Sequence, residues 1–214
     1  MSSAHADSWL STLGAQRHAC AFFHSADEEY RALLPFIKEG FDCGHRSLHI
    51  CDPDLCDEHR QRLTSAGIDL AGAENGGRFA LCRWADAYLR EGRFEQDRML
   101  AFLQQAIDSG RKQGFAMTRI VAHMEWAAGD SPGVEDLVEY ETRINHMWPE
   151  HEDAVICVYD LARFRADVVM DIMRTHPVVL IGGILQENPF FVPPDEFLHE
   201  LHERRTRRAD QAQV

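Results

Sequence analysis

Residues 18–51 read HACAFFHSADEEYRALLPFIKEGFDCGHRSLHIC, and the fold is decided in this stretch. His18 to Phe23 is a short apolar run of the kind that forms a buried strand. Ser25, with Glu28 three residues on, makes a capping box that starts a helix. The helix extends to about Phe41, with Leu33, Leu34, Ile37 and Phe41 near one face. Pro35 inside it predicts a kink or a shifted start. Gly44 closes the turn into a second strand, Ser47 to Cys51.

The same alternation continues outward. Leu55 to Ala66 reads as a helix ending at Gly67. Ile68 to Leu70 and Phe79 to Cys82 read as short strands, with a short helical stretch from Trp84 to Leu89. Phe94 to Gln113 is a long amphipathic helix, buried through Phe94, Met99, Phe102, Leu103, Ala106 and Ile107. Thr118 to Met124 is a strand, and Pro132 sits just inside a helix that runs to about Met147. Ala154 to Tyr159 is the most continuous buried-strand signal. A helix from Arg163 to Arg174 and a glycine-interrupted strand region, Pro177 to Leu185, follow. Pro193 to Arg208 makes a polar tail helix. Strands alternating with helices imply right-handed crossovers. The expected fold is therefore α/β, a mostly parallel sheet flanked by helices on both faces. Ligands in such sheets bind beyond the carboxyl ends of strands. The loops after Phe23, Cys51, Cys82, Met124, Tyr159 and Leu185 are the ones to inspect.

The loop after the first strand lacks a phosphate-binding motif. A P-loop supplies GxxxxGK[ST], whose backbone amides and lysine hold phosphates. Here the strand runs into His24-Ser25-Ala26-Asp27-Glu28-Glu29, with no glycine or lysine and three carboxylates. Carboxylates at a helix N-terminus occupy the place an anion would take, so a triphosphate would be repelled. The surroundings still resemble RecA/KaiC-type ATPases. FIKEGFDCGH leading into SLHIC is similar to the passage after their P-loop, and AVICVYD, ending at Asp160, is similar to a Walker B strand. The fold implied is RecA-like without a P-loop.

The run at 18–51, together with CVYD, THPVVLIGG and ENPFFVPPDEF in that order, resembles the MEDS family, the methanogen/methylotroph DcmR-type sensory domain. The resemblance covers about residues 15–200, leaving 1–14 as a flexible N-terminal segment and 201–214 as the helix end and tail. It implies a sensory domain for a small, partly apolar metabolite, thought in the family to be a hydrocarbon derivative. Relatives join this domain to DNA-binding, histidine-kinase or anti-sigma-factor modules. No helix-turn-helix or kinase segment follows position 200 here. The expected partner is thus a separate regulatory protein of the kinase, anti-sigma or transcription-factor type. A homodimer is compatible with the sequence.

Composition excludes several classes. The chain has 214 residues and 45% hydrophobic content, enough for a core, and a net charge of −13, which repels nucleic-acid phosphates. No run approaches the ~18 apolar residues of a membrane span, and the N-terminus MSSAHADSWL is no secretory signal. The cytoplasm is the expected compartment. None of the 6 cysteines forms a CxxC pair, and Cys51 with Cys56 fits no common zinc template. Cys20, Cys51 and Cys82 read as small buried hydrophobes.

The candidate ligand-binding residues are His24, Glu125, Trp126, Tyr159, Asp160, His176 and Asn188. His176 precedes Pro177, which biases it to extended backbone and fixes the ring's direction. It is a hydrogen-bond or metal ligand, or a cap for the preceding helix. Glu125 and Trp126 follow a strand end and suit a pocket with a polar anchor and an apolar wall, or a solvated acid beside a core indole. Tyr159 and Asp160 close the strongest strand, and His24 follows the first strand. Asn188 in the Asn-Pro-Phe-Phe segment is a loop closing over the site or a turn residue. Cys157 packs in its strand or, with His176, supplies metal-ligand chemistry. No paired metal spacing occurs among the 12 histidines. No cofactor is indicated.

The leading reading is a non-enzymatic sensor. The alternatives are a residual enzyme (a weak nucleotide hydrolase or a Cys157/His176 catalyst) and a ligand-independent docking module. The last would use the acidic surface and tail residues Glu196, Glu200, Arg204, Arg205, Arg207 and Arg208.

Overall fold

The structure, a computed structural model, describes residues 9–14, 17–148 and 152–212. Strands β1 (His18–Phe23), β2 (Arg46–Cys51), β3 (Phe79–Arg83), β4 (Thr118–His123), β5 (Ala154–Asp160), β6 (Val178–Ile181) and β7 (Ile184–Glu187) form a 7-stranded sheet. Their order is β3-β2-β4-β5-β1-β6-β7. All pairings are parallel except β6 with β7, an antiparallel hairpin turned by Gly182 and Gly183. This is the mostly parallel sheet that the alternation predicts.

β1 shows why both faces are covered. Cys20 and Phe22 point into one core, while Ala19, Ala21 and Phe23 point into the other. Helices α1 (Trp9–Leu13), α2 (Ala26–Asp42), α3 (Cys56–Ser65) and α4 (Leu70–Asn75) cover the Phe23 side through Leu13, Leu33, Phe36, Ile37, Leu63 and Leu70. Helices α5 (Trp84–Ala87), α6 (Gln96–Lys112), α7 (Leu137–Met147) and α8 (Ala166–Thr175) cover the other through Ala87, Leu103, Tyr140, Ile144 and Ile172. A last helix, α9 (Pro194–Ala212), packs against α7. No described helix is long and apolar enough to cross a membrane.

Several local expectations change. Ser25 caps α2 as predicted, its Oγ accepting from Glu28 N at 3.3 Å, but the Glu28 carboxylate reaches back to His24 N, one residue before the cap. α2 continues through Pro35, which lies on its exposed side. Residues 68–70 form no strand: the Asp69 side chain accepts from Gly72 N at 3.0 Å and starts α4 instead. Pro132 lies outside α7. Gly133 adopts φ +90° there, a left-handed turn that delays the helix to Leu137. In the 1–14 segment, residues 1–8 are outside the described residues, and 9–13 form α1 with Leu13 buried and Trp9 against Phe36 at 5.5 Å.

Candidate functional site

The carboxyl ends of β1, β2, β4 and β5 open into a cleft with a cavity of about 100 Å³. That size admits a molecule of a few heavy atoms. Phe23, Leu55, Val158 and Tyr159 supply apolar wall, and Glu29, Tyr30, His59, His123, Glu125, Asp160 and Arg163 bring polar groups to it. α2 begins at the cleft, so the loop without a P-loop forms one rim. Its three carboxylates divide their roles. Asp27 turns outward to Arg62 at 2.8 Å, and Glu28 caps the helix. Only Glu29 reaches inward, where it accepts from His123 Nε2 at 2.8 Å.

His123 donates its other ring proton to the Ile50 carbonyl at 3.0 Å, so both nitrogens serve as donors. Burial disfavours its charge, but the Glu29 carboxylate and the neighbouring Glu125 outweigh burial and raise it from 6.5 to about 9. Burial pushes the Glu125 carboxyl up, partly offset by the charge on His123. Glu125 Oε2 is buried and makes no hydrogen bond. Deeper in, Tyr30 Oη and His59 Nδ1 share a hydrogen bond at 2.5 Å, and His59 Nε2 and His49 Nδ1 share another at 2.7 Å. Burial pushes His49 down to about 3 and His59 well below its ordinary value, so this chain is neutral. At the rim, Cys51 and Cys56 are free thiols with their sulfurs 2.6 Å apart.

Of the sequence candidates, the cleft unites Glu125, Tyr159 and Asp160. The Asp160 side chain also accepts from Ala162 N at 2.9 Å, which fixes the following turn. His24 is exposed and its ring does not line the cleft. Trp126 stacks on Tyr88 at 4.8 Å inside the α6/α7 core. Asn188 does not close over the cleft. It is buried near the amino end of β6, its amide donating to the Met173 and His176 carbonyls at 2.5 and 2.7 Å.

His176 caps the end of α8 and also enters a second, fully buried group. Its partners are His18 on β1, Glu141 on α7 and Cys157 on β5. Tyr159 O–H donates to Glu141 Oε1 at 2.7 Å, so this residue bridges the cleft wall and the buried group. Burial works against charge on Glu141, but the His176 and His18 imidazoles beside it hold its carboxyl well below the usual range.

The residues sequence reading missed are Glu29, Tyr30, His59 and His123 in the cleft, and His18 and Glu141 in the buried group. A signal existed for some of them. His18, His49 and His123 interrupt apolar strands, and Glu141 falls on the stripe Leu137, Tyr140, Glu141, Ile144 that α7 buries.

A mostly parallel sheet with this strand order, a cleft at its carboxyl edge and no glycine-rich phosphate loop define a RecA-like fold without a P-loop. A KaiC-like protein from the hyperthermophilic archaeon Pyrococcus horikoshii shares the fold, with TM-score 0.54 and 14% identity over 76% of this chain and 69% of that one. A search of curated proteins finds no sequence match. The sequence profile of the MEDS family (methanogen/methylotroph, DcmR sensory domain) matches residues 17–177, and the chain belongs to that family. The family points to a sensory or regulatory role.

Proposed function

We propose that this domain is a sensor that binds a small, partly apolar metabolite in the strand-end cleft and passes the signal to a protein partner. The carrying observation is Glu125 Oε2, a buried acceptor with no partner, set among apolar walls at the mouth where ligands of parallel sheets bind. An unpartnered buried acceptor calls for a donor, so the ligand carries a hydroxyl or amine on a small hydrocarbon body. Glu29 on the rim opposes phosphate, which supports a non-nucleotide ligand and a binding rather than hydrolytic role. Ligand binding changes partner affinity through a difference in affinity for two conformations. A separate kinase, anti-sigma or transcription-factor protein, reading that difference, is the partner class that fits.

The test is a thermal-shift screen of small alcohols and amines. A ligand at about 100 times its Kd stabilises by about 2.7 kcal/mol, which moves the midpoint by roughly 5–10 °C in a chain of this size. Glu125→Ala leaves the unliganded midpoint in place and weakens binding by about tenfold or more, the worth of a hydrogen bond to a charged group. If no compound in these classes shifts the midpoint, the reading fails.

A further inference from the structure

The buried group at the α7 and α8 side of the sheet has the layout of a closed metal site. We propose that His18 Nε2, Glu141 Oε2, Cys157 Sγ and His176 Nε2 coordinate one zinc ion, or another divalent cation that accepts tetrahedral nitrogen, oxygen and sulfur ligands. The inference is independent of the ligand assigned to the cleft.

The geometry carries it. The four donor atoms all lie within 4.8 Å of one another. Glu141 Oε2 is 3.2 Å from His18 Nε2 and 3.4 Å from His176 Nε2. Cys157 Sγ is 3.7 Å from His18 Nε2 and 3.6 Å from Glu141 Oε2. A tetrahedron with Zn–N and Zn–O of ~2.1 Å and Zn–S of ~2.3 Å has nitrogen–oxygen edges of roughly 3.4 Å and sulfur edges of roughly 3.6 Å.

The surrounding hydrogen bonds aim the donors. The Asn145 amide NH2 donates to the Thr175 carbonyl at 2.6 Å and to the Glu141 and Thr142 carbonyls at 3.3 Å. Asn145 Oδ1 is therefore the acceptor facing His18 Nδ1 at 2.9 Å, which must carry a proton. His176 Nδ1 likewise donates to the Ile172 carbonyl at 2.9 Å. Each histidine thus turns its Nε2 toward the same carboxylate oxygen, and His176 Nε2 makes no hydrogen bond there. Tyr159 holds the other oxygen of Glu141. Imidazoles oriented by a second acceptor and a hydrogen-bonded carboxylate are the outer-shell pattern of metal sites.

Charge points the same way. Two neutral imidazoles would set lone pairs against a carboxylate, one imidazolium would balance the carboxylate but leave the other histidine's Nε2 lone pair facing it, and two imidazoliums with ring centroids 4.1 Å apart would leave a net buried positive charge. A divalent cation balances the Glu141 carboxylate and the Cys157 thiolate to zero. On binding, the Cys157 S–H bond breaks, its proton leaves to solvent, and a metal–sulfur bond forms. No oxidant or reductant is needed.

The experiment uses the whole chain, purified without chelator, given one equivalent of zinc and dialysed. Elemental analysis is expected to find one zinc per chain. Cobalt added to metal-free protein is expected to give intense tetrahedral d–d bands and a thiolate charge-transfer band. Cys157→Ser removes the charge-transfer band and keeps the d–d bands, and Asn145→Ala weakens zinc binding about 10–100-fold in competition with a chromophoric chelator. If the folded wild-type chain retains no zinc, or cobalt gives only weak octahedral bands, the proposal is overturned. The wild-type cobalt spectrum decides the matter even if a variant fails to fold.

Discussion

His123 is the residue whose protonation couples the cleft to pH. Its pKa rises from 6.5 in the unfolded chain to about 9 in the fold, so the stability it contributes is full below pH 6.5 and is lost as pH climbs through about 9. That gap corresponds to about 3 kcal/mol at ~1.4 kcal/mol per pH unit. The thermal midpoint should therefore fall between pH 6.5 and 9, and His123→Gln should flatten that fall. His49 acts in the opposite window. Because it stays neutral down to about pH 3, stability declines as pH drops below 6.5, where the unfolded chain takes up a proton and the fold does not. Melting curves across pH for wild type, His123→Gln and His49→Gln check both limbs. A midpoint independent of pH between 6.5 and 9 would remove the ion pair from the account. At this scale the sequence was only partly legible. Glu125, Tyr159 and Asp160 were found because strand ends mark ligand edges. His123 and His59 were not, because a histidine gains its role from partners such as Glu29 and Tyr30 that lie far away in the chain.

The elements were more legible than the residues in them. AVICVYD and HACAFF are strands because both faces are buried, a pattern that apolar runs announce directly. The misreadings fell where a single turn residue overrode the pattern, at Asp69 and at Gly133. Gly133 has no freedom to change: a Cβ there would stand 2.3 Å from the Phe94 carbonyl oxygen. Helix α9 reads as polar along its length, yet Phe197 is fully buried, with the Arg174 guanidinium 4.5 Å and that of Arg204 5.8 Å from its ring centre. Glu200 joins both arginines, and Arg205 pairs with Asp136 and Glu139. The tail residues Glu200, Arg204 and Arg205 are thus engaged within the chain, while Glu196, Arg207 and Arg208 remain exposed. Phe197→Ala should cost about 3–5 kcal/mol, a fall of roughly 6–20 °C in midpoint, with α9 losing amide-exchange protection before the sheet does. If α9 keeps its protection, the aromatic anchor is not what holds it.

For the whole molecule, the alternation of strands and helices fixed the class of fold, but strand order was out of reach, since the place of β1 depends on pairing with β5 and β6, more than a hundred residues away. The missing P-loop sets a prediction at this scale. Incubation with ATP and magnesium should release phosphate no faster than buffer alone, and a rate above buffer that disappears in Asp160→Asn would favour hydrolysis instead. The position of β1 also bears on how the chain reaches its fold. β1 ends at Phe23 and joins the sheet only through β5 and β6, which begin at Ala154 and Val178. During synthesis the first strand must wait, unpaired, until most of the chain has emerged. The β3-β2-β4 half, which pairs among nearer neighbours, has its strands complete earlier. Such non-local closure slows folding and leaves apolar edges uncovered in the interval. His176, just before β6, is the last of the four side chains to be made, so the group it forms with His18, Glu141 and Cys157 assembles only when the nascent domain is nearly finished.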